Sequence, residues 1–137
     1  MSRLGYDGAP RRRTILIVDD DRDIREVIGE ALEAEGYLTA TASDGRAALE
    51  WLRVCADPPS LILLDLMMPD MDAAAFREEQ LRNPALSGIA VVIFSADVGI
   101  AEKARSMGAM GYLKKPVGLL ELVDVVRAAC GGPVRGP

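Results

Sequence analysis

Five short runs rich in aliphatic and β-branched residues punctuate the chain: Thr14–Val18, Tyr37–Thr41, Leu61–Asp65, Ile89–Phe94 and Met110–Lys114. The middle run places four aliphatic residues between Pro58-Pro59-Ser60 and the Met67-Met68-Pro69 turn, the pattern of a strand buried on both faces. Helical spacing separates the runs. Ile24, Val27, Ile28, Ala31 and Leu32 repeat at turns of a helix, with Gly36 as its stop. Ser43 or Asp44 caps a second helix that buries Ala48, Leu49, Leu52 and Cys55, with Trp51 beside them. Residues 72–82 read as a helix with a thin apolar face (three alanines, Phe76 and Leu81), ended by Asn83-Pro84. A fourth helix, 98–107, is weak, with Gly99 inside it and Gly108 behind it. The last, 118–130, carries Leu119, Leu122, Val123, Val126 and Cys130 on one stripe and stops at Gly131-Gly132-Pro133. Residues 1–13 show no periodicity and are expected to form a disordered leader, with 131–137 a flexible tail. One domain, 14–130, remains.

Strands that alternate with helices through short loops predict a parallel sheet covered on both faces. Right-handed crossovers then bring every strand's C-terminal end to one edge, where ligands of such sheets bind. The polar residues collect there. Asp19 and Asp20 follow the first strand, Asp65 ends the third, Ser95 ends the fourth and Lys115 follows the fifth. Each has an ordinary reading alone: an N-cap run, a turn cap, a surface lysine. Their coincidence on one edge does not. Converging carboxylates repel unless a cation sits among them, and an all-oxygen donor set suits Mg²⁺ or Mn²⁺. With that charge balanced, Asp65 can act as a nucleophile toward a phosphoryl group, with Lys115 and Ser95 supplying a cation and a hydroxyl to the developing charge.

Composition narrows the field further. A net charge of −5 over 137 residues argues against sequence-independent nucleic-acid binding and against docking on anionic membranes. No apolar run is long enough to span a bilayer, and the apolar segment after the leader is too short for a signal peptide. Histidine is absent, which removes Ser-His-Asp catalysis and histidine–zinc sites. The two cysteines, Cys55 and Cys130, have no metal or redox spacing and fall on apolar stripes, as small buried residues in a reducing cytoplasm.

Four motifs carry a family resemblance: Ile-Leu-Ile-Val-Asp-Asp at 15–20, Asp-Leu-Met-Met-Pro-Asp-Met-Asp at 65–72, Phe-Ser-Ala at 94–96 and Tyr-Leu-Lys-Lys-Pro at 112–116. Together they resemble the receiver domain of response regulators, over Thr14 to about Cys130. The resemblance implies a flavodoxin-like doubly wound α/β fold, with five parallel strands in the order 2-1-3-4-5 and five helices. It implies that Asp65 is the phospho-acceptor, Asp20 a direct metal ligand and Asp19 the second member of the acidic pair. The backbone carbonyl of Met67 completes the protein's ligands to Mg²⁺. Ser95 and Tyr112 match the switch pair, and Lys115 matches the lysine that precedes a cis proline. A histidine kinase or histidine phosphotransfer protein is the implied donor. The 98–130 face is the implied contact for a downstream protein, with a phosphorylation-dependent homodimer left open. Nothing after residue 130 suggests an output domain, so a stand-alone or excised receiver is expected.

The chain departs from the pattern in places. Ala73 stands where the family usually has Gly, Val117 follows Pro116 in place of a common Phe, and Met110-Gly111 replaces a common acidic pair. The 72–82 helix lacks the usual aliphatic stripe and gains a residue before Asn83. These changes bear on loop geometry, phosphoryl lifetime and partner surface, not on the reactive groups. Two rivals follow. One is a pseudo-receiver, an interaction module that is not phosphorylated. The other is a phosphatase of the haloacid-dehalogenase type, reading Asp19 to Asp21 as Asp-x-Asp, although Asp23 stands where that family has Thr or Val.

Overall fold

Leu61–Asp65 forms β3, the middle strand of a five-stranded parallel sheet, and none of its residues is exposed. A computed structural model describes residues 13–68 and 71–130; Pro69, the tail and all of the leader but Arg13 lie outside the described residues. Around β3 the order is β2-β1-β3-β4-β5, with β1 at Thr14–Val18, β2 at Leu38–Ala42, β4 at Ala90–Ser95 and β5 at Gly111–Lys114. The helices are α1 (Arg22–Ala34), α2 (Gly45–Val54), α3 (Ala73–Arg82), α4 (Ile100–Ser106) and α5 (Leu119–Ala129). This is the predicted flavodoxin-like topology, with strand bounds moved by a residue or so where loops meet the sheet.

Alternation along the strands divides the core in two. Leu16, Val18, Ile62, Leu64, Val91 and Ile93 pack with Ala48, Leu49 and Leu52 of α2, Phe76 of α3 and Ile100 and Ala104 of α4. Ile15, Ile17, Leu61, Leu63, Val92 and Phe94 point the other way, onto Ile28 and Leu32 of α1 and Leu122 and Val126 of α5. Three aspartates start helices. Asp21, Asp44 and Asp72 each accept a backbone N–H from the first turn, and each such cap contributes about 1 kcal/mol. Asp44, not Ser43, is the cap of α2. At the far end of α1, Gly36 takes φ +97° with nothing within 4 Å of a would-be Cβ. Gly36→Ala is therefore expected to cost about 1 kcal/mol from backbone strain alone, read as a lower urea midpoint at unchanged slope.

Several expected core positions are not core. Val27, Leu81 and Leu119 are half exposed. Val27 and Leu119 line an open apolar groove beside Lys115-Pro116, between α1 and α5. Leu81 gives way to its neighbour, because α3 buries Ala73, Phe76 and Gln80 instead. Cys130 is buried, but Cys55 is only partly so: it is the C-cap of α2, where its thiol donates to the Leu52 carbonyl. Ala73 escapes the strain anticipated for it. It is the first residue of α3, in helical backbone behind its Asp72 cap, so no positive φ is required.

Candidate functional site

Parallel register carries the motif residues to the same edge. Val18 pairs with Leu64, Asp65 with Phe94 and Ser95 with Lys114, so the chain emerges from β1, β3, β4 and β5 side by side. Carboxylate oxygens of Asp19, Asp20 and Asp65 all lie within 4.8 Å of one another. Asp19 and Asp65 are buried, and Asp20 stands exposed at the rim.

Lys115 spans the two buried acids. Its Nζ lies 3.0 Å from Asp19 Oδ2 and 3.6 Å from Asp65 Oδ1, and 4.9 Å from the centroid of the Phe94 ring beneath it. The peptide from Lys115 to Pro116 is cis, as the resemblance implied. Lys114 points outward to solvent. Asp19 is held on every side: its Oδ1 accepts the Asp21 N–H at 2.8 Å, and its carbonyl accepts from Arg25 Nη1 at 2.7 Å. Asp21 itself caps α1 through the N–H groups of Asp23 and Ile24, so it does not serve as the second acid of an Asp-x-Asp pair.

Burial is the main force on Asp65. Together with the Asp19 and Asp20 charges it lifts the carboxyl from its ordinary 3.8 to about 6. Lys115 and the Met67 N–H, at 3.4 Å from Asp65 Oδ1, pull the other way without winning. The chain alone thus leaves the acidic cluster short of positive charge. Ser95 is buried, its Oγ accepting the Asp97 N–H at 3.1 Å. Asp65, Met67, Ser95, Ala96, Asp97 and Lys115 line one open cavity over this cluster.

Sequence reasoning placed Asp19, Asp20, Asp65, Ser95 and Lys115 together, and the structure brings all five to this edge. Tyr112 stands apart, exposed on β5 beside the groove with α5. Three neighbours were missed. Asp97 is turned over the cavity's rim, bonded to the Gly99 N–H at 2.7 Å and to Lys103 Nζ at 2.8 Å; the lysine holds its carboxyl below the usual range. Arg25 braces the Asp19 carbonyl. Gly45 lets the turn after β3 approach α2, since a Cβ there would sit 3.2 Å from Met71 atoms, backbone oxygen included. Only Gly45 and Asp97 carried a signal, as turn-forming residues beside motif segments.

A doubly wound sheet with an acidic, lysine-bearing cavity at the C-terminal edge of β1, β3, β4 and β5 defines a flavodoxin-like α/β protein built around a charge-dense pocket. A family model described as "Response regulator receiver domain" matches residues 15–127, and the chain belongs to that family. Response regulator MprA of Mycolicibacterium vanbaalenii is 36% identical over 116 residues, 83% of this chain and 48% of its own. The chain spans about half the length of the curated relatives it matches. The receiver domain of NtrX from Brucella abortus superposes with a TM-score of 0.76 at 32% identity, over 85% of this chain and 97% of that one. Chemotaxis response regulator CheY4 of Vibrio cholerae shares the fold, with a TM-score of 0.79 at 24% identity over 87% and 99% of the two chains. The family expected from the four motifs is the family found. It places the chain in two-component signalling, among receiver domains and not among conventional enzymes.

Proposed function

We propose that this domain takes a phosphoryl group onto Asp65 from a histidine kinase or histidine phosphotransfer protein, with Mg²⁺ bound at the acidic cluster. The observation that carries this reading is Lys115 bridging Asp19 and Asp65 beneath an open cavity that Ser95 also lines. Asp19, Asp20 and Asp65, with the Met67 carbonyl, offer a hard cation only oxygen donors on a scale one small ion can reach. When bound, that ion supplies charge to the phosphoryl oxygens.

A carboxylate oxygen of Asp65 forms the new O–P bond as the donor's P–N bond breaks, and the donor imidazole leaves with the electron pair. Lys115 Nζ neutralises the oxygens turned toward β5. Ser95 Oγ, now accepting from Asp97, can rotate its hydroxyl to donate to a phosphoryl oxygen. Tyr112 then moves inward from its exposed position, and α4, β5 and α5 form the surface that a downstream protein reads. Exposed Val98 just before α4, Met110 just before β5 and Leu120 on α5 suit protein contact, including a phosphorylated homodimer. No described helix is long and apolar enough to cross a membrane. Two free cysteines accord with a reducing cytoplasm.

Intact mass after incubation with acetyl phosphate, with and without Mg²⁺, tests the reading. One phosphoryl adduct that needs Mg²⁺ and vanishes in Asp65→Asn is the expected result. A folded protein that takes no adduct under any condition would instead be a pseudo-receiver.

A further inference from the structure

Beside Ala73 and Phe76 the thin buried side of α3 carries a polar residue, Gln80, and through it the helix reaches the end of another helix. Gln80 is fully buried, and its Nε2 donates to the carbonyls of Leu86 at 2.9 Å and Ile89 at 3.0 Å. That fixes its Oε1, which accepts from Arg77 Nη1 at 2.8 Å. Arg77 spends its two other nitrogens on the C-terminus of α4: Nε donates to the Met107 carbonyl at 2.9 Å and Nη2 to the Gly108 carbonyl at 3.0 Å. Met107 is the C-cap of α4, and Gly108, at φ +68°, turns the chain into β5.

A guanidinium there meets the negative end of a helix and satisfies carbonyls that the helix leaves free. Burial lowers the Arg77 pKa from its ordinary value, but the group stays charged at any working pH. The α4 helix needs this support. It has seven residues, no side-chain cap at Gly99, and buries only Ile100 and Ala104. Its N-terminal end is tied by Asp97 to Gly99 and Lys103. Polar ties therefore hold both ends of the element that carries part of the readout surface.

The geometry points to the Arg77–Gln80 pair as a built-in restraint on α4, one that a phosphoryl group on Asp65 works against when it shifts α4. The link to Asp65 rests on the function proposed above; the restraint itself does not. Bonds present in the unphosphorylated arrangement stabilise that arrangement, so their removal lowers what phosphorylation must overcome.

Hydrogen exchange on the full chain, unphosphorylated, tests the restraint. In Arg77→Met, which keeps the aliphatic stem, amides of residues 104–109 are expected to exchange about tenfold faster, with those of α1 and α2 unchanged. Arg82→Met, which loses only surface pairs with Glu78 and Glu79, is the control and should exchange as wild type does. Arg77→Lys, able to reach one carbonyl but not hold the fork, should fall between them, and it stands in if Arg77→Met does not fold. Exchange within twofold of wild type in the variant tested overturns the restraint.

The second arm reads the phosphorylated fraction at sub-saturating acetyl phosphate and Mg²⁺, expected to rise about threefold in Arg77→Met. Faster exchange with an unchanged fraction would reduce the pair to a stability element and overturn the coupling. Failure of wild type itself to take a phosphoryl group would refute the Asp65 reading, and exchange would still decide the restraint.

Discussion

Replacing Asp65 with asparagine is expected to stabilise the metal-free protein by about 2 kcal/mol at pH 8 and by almost nothing at pH 4. The carboxyl is lifted from 3.8 to about 6, first by burial and then by Asp19. A folded-state pKa raised above the unfolded value means that the folded protein binds the proton more tightly. The ionised carboxylate therefore costs stability fully above about pH 6, and that cost fades as the pH falls toward 3.8. A shift of that size corresponds to roughly 3 kcal/mol, and water at the cavity mouth screens part of it. Asparagine keeps the shape and removes the charge. Urea unfolding in a chelator across this pH range is the measurement. A variant no more stable than wild type at pH 8 would show that Asp65 carries no burial cost.

The same experiment with Mg²⁺ added reverses the ranking. A cation that binds only the folded protein stabilises by mass action, about 2.7 kcal/mol at a hundredfold excess over its dissociation constant. Wild type should gain this and Asp65→Asn much less, because the variant has lost both a ligand and the strain that binding relieves. Equal gains in the two proteins would place the cation elsewhere. An acidic cluster left short of positive charge is a poor design for stability alone and a sound one for a site that recruits a cation with its phosphoryl donor.

What the sequence made legible follows from local pattern and chain direction. Apolar runs suited to burial on both faces, alternating with helices through short crossovers, dictate a parallel sheet, and a parallel sheet dictates that Asp19, Asp65, Ser95 and Lys115 emerge together. The three-carboxylate cluster needed no tertiary information beyond that. Val27 and Leu119 were misplaced because helical spacing names a face but not how far the sheet beneath it extends. The α3 helix was placed, but what anchors it was missed, for a deeper reason. Its thin apolar stripe reads as weak packing, and nothing nearby shows that Arg77 will find carbonyls thirty residues onward, at Met107 and Gly108. Polar packing that depends on long-range partners leaves no periodic trace.

Lys115→Ala is the second large change, with two effects that separate under Mg²⁺. Without the metal, it leaves Asp19, fully buried, and Asp65 facing each other with no cation between them. Breaking such a pair costs about 2 kcal/mol at pH 8, less than for a fully buried pair because Lys115 itself is partly exposed. The loss should shrink at low pH as the Asp65 carboxyl, pushed higher still, takes up a proton. Mg²⁺ should restore most of the stability, since any cation among the acids relieves their repulsion. It should not restore phosphorylation. In the proposed reaction the lysine serves the phosphoryl oxygens on the β5 side, and losing a fixed charge from that position is expected to lower the rate of adduct formation with acetyl phosphate by about a hundredfold. Lys115→Arg retains the charge, but its planar fork cannot settle above the Phe94 ring and between both carboxylates as one ammonium does. It should therefore recover stability ahead of rate. A variant without Lys115 that accepted the phosphoryl group at the wild-type rate would confine this residue to neutralising the two buried acids.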